Sequence, residues 1–235
     1  LVGVSPIAHP QQEAVKCHSR STPFPAQPEN GVPLEETLSL PYRLAVLGLI
    51  LLGWLVIYFY VNRLQVAPDR RLDLGTSLDQ RIPYIPLFAL VYFSTYIFVI
   101  QPFFILSNTR QFYWMAASFA AISLISSLIH AVVPSRIERV EQVTLGGMTG
   151  WMLDLFQKTC KPYGNFPSMH VGLSVPVVAA NFLVYGSSAG FLALAWALLI
   201  AISTLYTKQH YILDVVAGFA GGLFIFAAMF WFMLA

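Results

Sequence analysis

Two histidines and an aspartate carry the chemistry that this sequence suggests. His210 and Asp214, in KQHYILD, are four residues apart, so on a helix they share one face. An aspartate one turn beyond a histidine can accept its ring N–H, fix its tautomer and stabilise the imidazolium. Both open an apolar run, where ionisable groups are costly and tend to be functional. A structural His–Asp hydrogen bond between helices is the plainer account of the same pair. The second group lies in NFPSMHVGLS, where Ser168 follows Pro167 and precedes a helix-like run. Serine in that place is a good N-cap. The first amides of such a helix point outward and attract anions, phosphate above all. His170 falls in the first turn, placed to give a proton to a leaving oxygen. The alternative is an ordinary capped helix with an interfacial histidine.

The two segments are stronger together than apart. They supply a nucleophile, an acid and an amide nest, with Lys208 and Arg139 on the same face. That set suits phosphoryl transfer. A metal site is the competing use of His170, His210 and Asp214. It is the weaker one, because no fourth ligand is evident and the basic residues would repel a cation. No cofactor is called for.

These residues must be positioned by elements of a particular kind. The 235 residues are 57% hydrophobic and only 10% charged, against about 25% charged in soluble domains. Mean hydropathy is +0.67, and the apolar residues fall in long blocks, as in a polytopic membrane protein. A formal net charge of +2 is too small to argue for nucleic acid. Cys17 and Cys160 show no metal-binding or redox spacing. Residues 1–40, rich in Pro, Ser, Gln and Glu, read as a flexible tail without a signal peptide. A short interfacial turn is expected where the tail meets the membrane.

Six apolar blocks follow, at about 44–61, 87–106, 112–133, 170–185, 191–206 and 211–235, with Pro102 as an expected kink. The blocks are too long and continuous for barrel strands, and aromatic residues cluster near several of their ends. The expectation is an all-α bundle of six transmembrane helices over residues 41–235, its fifth block the short one. Six spans put both termini on one face. The connections 62–86, 134–169 and the turn around 208–210 then share the other, working face.

Elsewhere structural readings suffice. His130 ends an apolar block and reads as satisfied or interfacial, and His9 and His18 as solvated. GGMTG at 146–150 reads as a flexible loop, since it follows no strand and lacks a phosphate-loop lysine. Trp151 and Tyr163 read as interfacial anchors or as lining of the substrate entrance. Gly218 and Gly222 form a GxxxG for close helix packing.

PSMH at 167–170 followed by KQHYILD at 208–214 resembles the type 2 phosphatidic acid phosphatase superfamily, which carries P-S-x-H and then a downstream H-x-x-x-D. YTKQHYILDVVAG and DQRIPYIPLFALVYFSTY look like its branch related to inositol phosphorylceramide synthases. The resemblance covers about residues 79–222. It implies that His210 attacks phosphorus and becomes a phosphohistidine, that Asp214 orients it, and that His170 protonates the leaving alcohol. Ser168 and nearby amides, that of Met169 among them, match the phosphate cradle. The chain departs from the family's first motif. Arg139 stands in the place of its arginine, but Val140 follows instead of Pro, and Val132 occupies the place of its lysine. The third motif has Ser203-Thr204 where the family often has Ser-Arg. Arg136 and Lys208 are the candidate substitutes for the two missing cations.

The resemblance places the working face outside the cytoplasm. The charges argue the reverse: Arg63, Arg70, Arg71, Arg81, Arg136, Arg139, Lys158, Lys161 and Lys208 fall on the working face, which the positive-inside rule puts in the cytoplasm. Phosphate binding by Arg136, Arg139 and Lys208 accounts for part of that excess. The expected activity is metal-free cleavage of a lipid phosphate ester by covalent catalysis, with a membrane lipid as substrate. With an alcohol as second acceptor the protein is a head-group phosphotransferase. A non-catalytic lipid-binding or transport protein is the reading from another class. Neither the lipid nor the oligomeric state follows from the sequence.

Overall fold

A computed structural model describes residues 37–63, 71–139, 147–159 and 161–234. The expected tail lies outside the described residues apart from 37–40, as do both cysteines. Thr37 pairs with Asn108 in an isolated bridge, and the helices begin at Leu40; the start of the expected interfacial turn lies outside the described residues.

Helix α1 is Leu40–Arg63. Its Pro41 sits in the first turn, where a missing N–H is not needed. A short strand β1 (Leu72–Asp73) and helix α2 (Ser77–Arg81) follow. A 3-10 turn (Pro86–Phe88) leads into α3 (Ala89–Ile100). The chain breaks at Gln101 and resumes as α4 (Pro102–Ile105), the interruption expected of Pro102. Arg43 of α1 donates to the carbonyls of Phe104 and Leu106 at 2.8 and 2.9 Å, satisfying acceptors that the short α4 leaves open.

Helix α5 (Thr109–Val132) starts at Asn108, whose side chain accepts from the Gln111 N–H. Strand β2 (Ser135–Arg136) pairs parallel with β1. Helix α6 spans Gly147–Thr159, so the stretch expected to be a glycine loop supplies its first turn from Gly147 on. Gly146 lies outside the described residues. Helices α7 (Met169–Tyr185) and α8 (Ser187–Tyr206) are joined by Gly186 alone, at φ +80°, a left-handed conformation that glycine adopts without a Cβ clash. Helix α9 is Ile212–Leu234.

Among the described residues five helices are long and apolar enough to cross a membrane: Leu40–Val61, Pro86–Ile105, Thr109–Val132, Ser187–Tyr206 and Ile212–Phe232. The expectation of six spans therefore meets five helices of that length and one shorter apolar helix, α7, of 17 residues. The short block is the fourth, not the fifth, because α8 takes in Ser187–Gly190 as its first turn. Outward faces stay apolar, with Leu49 69% and Phe224 75% exposed, as lipid contact requires.

Helix α7 is central and packs against α3, α4, α5, α8 and α9, while α1 rests on α4 and α5. The core joins Phe103, Phe112, Met115 and Phe119 to Val177 and Ala180 of α7. Gln101 and Asn181 exchange side-chain hydrogen bonds at 3.2 and 2.8 Å between the α3–α4 break and α7, so neither amide is buried unpaired.

The described parts of the three connections expected on one face meet there. Leu72 N–H donates to Pro134 C=O, Ile85 N–H to Tyr206 C=O, and Lys208 reaches the carbonyls of Asp79 and Ile82. Together they cap one end of the bundle.

Candidate active site

The turn between α8 and α9 presents His210, and the first turn of α7 presents His170. Their rings face each other, with His170 Nδ1 3.3 Å from His210 Nε2. Behind His210, Nδ1 lies 3.4 Å from Asp214 Oδ2. That oxygen also accepts the Tyr211 N–H at 2.9 Å, which is the backbone half of a capping box at the start of α9. Asp214 is 1% and His210 7% exposed. The other Asp214 oxygen is buried with no hydrogen-bond partner among the described residues.

The two helix starts are locked together. Ser168 N–H donates to Asp214 C=O at 2.9 Å, which fixes His170 relative to His210. Ser168 occupies the N-cap position of α7 as expected, but its hydroxyl makes no capping bond and is buried without a partner among the described residues. Helices α7 and α9 meet closely beside it: a Cβ on Gly218 would fall on the Ser168 carbonyl, and one on Gly222 would come within 2.6 Å of Gly172 O. The GxxxG pair therefore brings the α7 and α9 backbones into contact, as small residues in membrane helices do.

A cavity of about 370 Å³ opens at the histidines and runs between α1 and α3. Leu47, Ile50 and Trp54 line it from α1, and Tyr96, Val99 and Ile100 from α3. Its polar end holds His170, His210, Met169, Arg139, Lys161 and Asn165. Arg139 donates to the Lys161 and Gln157 carbonyls at 3.1 and 3.5 Å and lies over the Phe156 ring.

The other expected phosphate cations are placed elsewhere. Lys208 does not line this cavity. Its ammonium donates to Ile82 C=O at 2.6 Å and Asp79 C=O at 2.9 Å. It borders a separate polar recess with Asp73, Thr76 and Asp79, a recess that Arg139 also reaches. Arg136 pairs with Asp73 at 3.6 Å on the surface. Trp151 is exposed, whereas Tyr163 lines the cavity.

Four residues join the site that the motifs did not single out. Tyr92 of α3 puts its hydroxyl 3.2 Å from His170 Nε2. His130 lines the cavity while bonding to Pro167 C=O at 3.0 Å. It is satisfied, as expected of it, yet it sits beside the other two histidines. Asn165 presents a buried amide nitrogen with no partner among the described residues. Asp79 acts from behind. Its carboxylate accepts the Ile212 N–H at 2.8 Å and the Thr76 N–H and hydroxyl at 2.8 and 2.6 Å. It thereby pins the first amide of α9, two residues beyond His210. The usable signals were an ionisable residue inside a span for His130 and a T-x-x-D capping box for Asp79.

Burial pushes the Asp79 carboxyl up, but the Thr76 hydroxyl, the Ile212 and Thr76 amides and the Lys208 charge outweigh it and hold it below its ordinary 3.8. A carboxylate lowered in the folded state adds stability above its unfolded pKa and loses it as pH falls through the folded one. Asp79→Asn is expected to cost about 2 kcal/mol at neutral pH. The gap from the parent protein should narrow as the pH drops below the ordinary carboxylate range. Thermal unfolding in detergent across pH measures both; a gap independent of pH refutes the charged role.

The fold and site define a class: an integral membrane helical bundle with a His–His–Asp cluster at the polar end of an apolar cavity. The model of the PAP2 superfamily matches residues 74–228, and the chain belongs to that superfamily. Membership supports a phosphatase- or phosphotransferase-type function on lipid phosphate. No curated protein and no solved structure matches the chain.

Proposed function

We propose that the protein is a membrane phosphohydrolase that cleaves a lipid phosphate ester through a phosphohistidine on His210. The observation that carries this reading is the 3.3 Å approach of His170 Nδ1 to His210 Nε2 at the polar end of the apolar cavity. With Asp214 taking the N–H at Nδ1, His210 Nε2 is left unprotonated, with a lone pair able to attack phosphorus. The phosphate ester P–O bond breaks as the N–P bond forms. The protonated His170 gives its Nδ1 proton to the departing oxygen, which leaves as the alcohol. An acceptor O–H then attacks phosphorus, its proton passes to His170, and the N–P bond breaks.

Arg139 and the first amides of α7, that of Met169 included, are assigned to the phosphate oxygens; Ser168, buried with its N–H on Asp214 C=O, holds the helix start in place, and Lys208 and Arg136 act on the surrounding loops. The reading needs no metal. Lining positions 47 to 59 of α1 extend the cavity roughly 18 Å along that helix, room for a long acyl or isoprenoid chain. The catalytic unit is taken as residues 41–235, with 1–40 a tether and the working face outside the cytoplasm.

Head-group transfer to an alcohol is the second reading. Two things favour it: the likeness of YTKQHYILDVVAG to the inositol phosphorylceramide synthase branch, and the burial of His210, which limits access by bulk water.

Purified protein in detergent, with a chelator present, is to be given a panel of lipid phosphates. Inorganic phosphate released by the parent but not by His210→Asn is the expected result. Release only of a phosphodiester, when inositol-containing lipids and sphingoid acceptors are supplied, selects the transferase. Neither product from folded protein leaves a lipid-binding or transport protein. Arg139→Glu is expected to lower turnover about 10²- to 10³-fold; unchanged turnover shows that the phosphate is bound elsewhere.

A further inference from the structure

Tyr92 is fully buried, and its ring packs edge-on against Phe93 and Phe156 and lies tilted against His170 at 4.9 Å. Its hydroxyl belongs to a row of four groups: Tyr92 oxygen, 3.2 Å to His170 Nε2; His170 Nδ1, 3.3 Å to His210 Nε2; His210 Nδ1, 3.4 Å to Asp214. The protons in this chain can be assigned from its Asp214 end. Asp214 Oδ2 already accepts the Tyr211 N–H and faces His210 Nδ1 as an acceptor, so Nδ1 carries the His210 proton and Nε2 is an acceptor. His170 Nδ1 faces that acceptor and therefore carries the ring proton. His170 Nε2 is left as an acceptor, and the group facing it must donate. Tyr92 O–H is that donor.

We propose that Tyr92 is a positioning residue that sets the tautomer of His170, holding the proton on Nδ1, the nitrogen that faces the phosphoryl site. A hydroxyl both donates and accepts. When His170 takes up a second proton to act as acid, the same oxygen accepts from Nε2–H, and the ring keeps its orientation. After Nδ1 gives its proton to the leaving oxygen, Nε2–H remains bound to Tyr92, and Nδ1 is free to take a proton from the acceptor. A phenylalanine supports neither state, although it fills the same space. Partners of this kind that fix an imidazole are worth about 10- to 100-fold.

The catalytic consequence rests on the phosphohydrolase reading; the tautomer does not. The first test is therefore spectroscopic. Nitrogen-15 histidine spectra of the full chain in detergent, assigned with His170→Asn, report which ring nitrogen is protonated. The expected result is Nδ1–H on His170 in the parent, and a shift to Nε2–H or a mixture in Tyr92→Phe. Nε2–H in the parent overturns the proposal whatever the variant does, and so does an unchanged tautomer in a folded variant. The second test is kinetic, on any lipid phosphate the panel shows to be cleaved. Tyr92→Phe should lose 10- to 100-fold in kcat, with KM and thermal midpoint held within about twofold and a few degrees. Equal losses in kcat and thermal midpoint would mark Tyr92 as a packing residue only. A tautomer that responds in a protein cleaving no lipid phosphate would sink the phosphohydrolase reading and leave this one standing.

Discussion

His210→Asn is expected to abolish turnover, by ~10⁴-fold or more, and to leave the protein folded. Asparagine keeps a polar side chain of smaller reach and can still bond to Asp214, so the capping of α9 by that carboxylate survives. What disappears is the nitrogen that faces His170 and the cavity. Nothing else can take its place with equal support. His130 Nε2 is tied to Pro167 C=O, and Asp214 lies behind His210, away from the cavity lining. Activity and thermal unfolding of the same preparation separate loss of chemistry from loss of fold. A variant within tenfold of the parent means that another group attacks phosphorus.

Gly218→Ala is expected to damage both stability and rate. The added methyl meets the Ser168 carbonyl, and Ser168 Cβ is 3.1 Å away. Backbone cannot rotate aside as a side chain can, so α7 and α9 must separate. Such overpacking costs about 1–3 kcal/mol. The strained joint is the one that carries the Ser168–Asp214 backbone bond and hence the spacing of the two histidines. A displacement near 1 Å in a catalytic pair costs about 10²-fold in rate. Gly221, on the same helix, has nothing within 4 Å of the place a methyl would take, so Gly221→Ala is the matched control and should be close to neutral. Melting temperature and kcat of the two variants decide. If Gly218→Ala behaves like Gly221→Ala, the tight contact between α7 and α9 does not govern the site.

The parts of this molecule that sequence patterns reveal are those set by local rules. Apolar blocks, the break at Pro102 and the GxxxG contact each follow from the solvent or from a single residue's geometry. His170, His210 and Asp214 were legible because residue type and helical spacing together specify a chemistry. Block length misled at α8, whose first turn, Ser187–Gly190, is small enough to read as a link; α7 is as short as its block, and five other helices pack against it. Helix α6 was missed because its glycines at 147 and 150 resemble a loop, and only its packing against α3 and the turn before it shows otherwise. Tyr92, Lys208 and the bond of Asp79 to Ile212 depend on contacts across 78 to 133 residues of chain, which no local pattern encodes. Lys208 shows the limit of reading charge by face: it shares a face with the histidines, but the nearest acceptors are two carbonyls.

Trapping of the covalent intermediate decides whether His210 attacks phosphorus. Protein in detergent is mixed with lipids of the panel carrying radiolabelled phosphate, quenched in alkali within the first turnover, and digested for mapping. The expected result is label that is stable to base and lost in acid, as a phosphohistidine is, located on His210 and absent from His210→Asn. Label on no histidine, from a protein that does release product, contradicts it and points to direct attack by the acceptor.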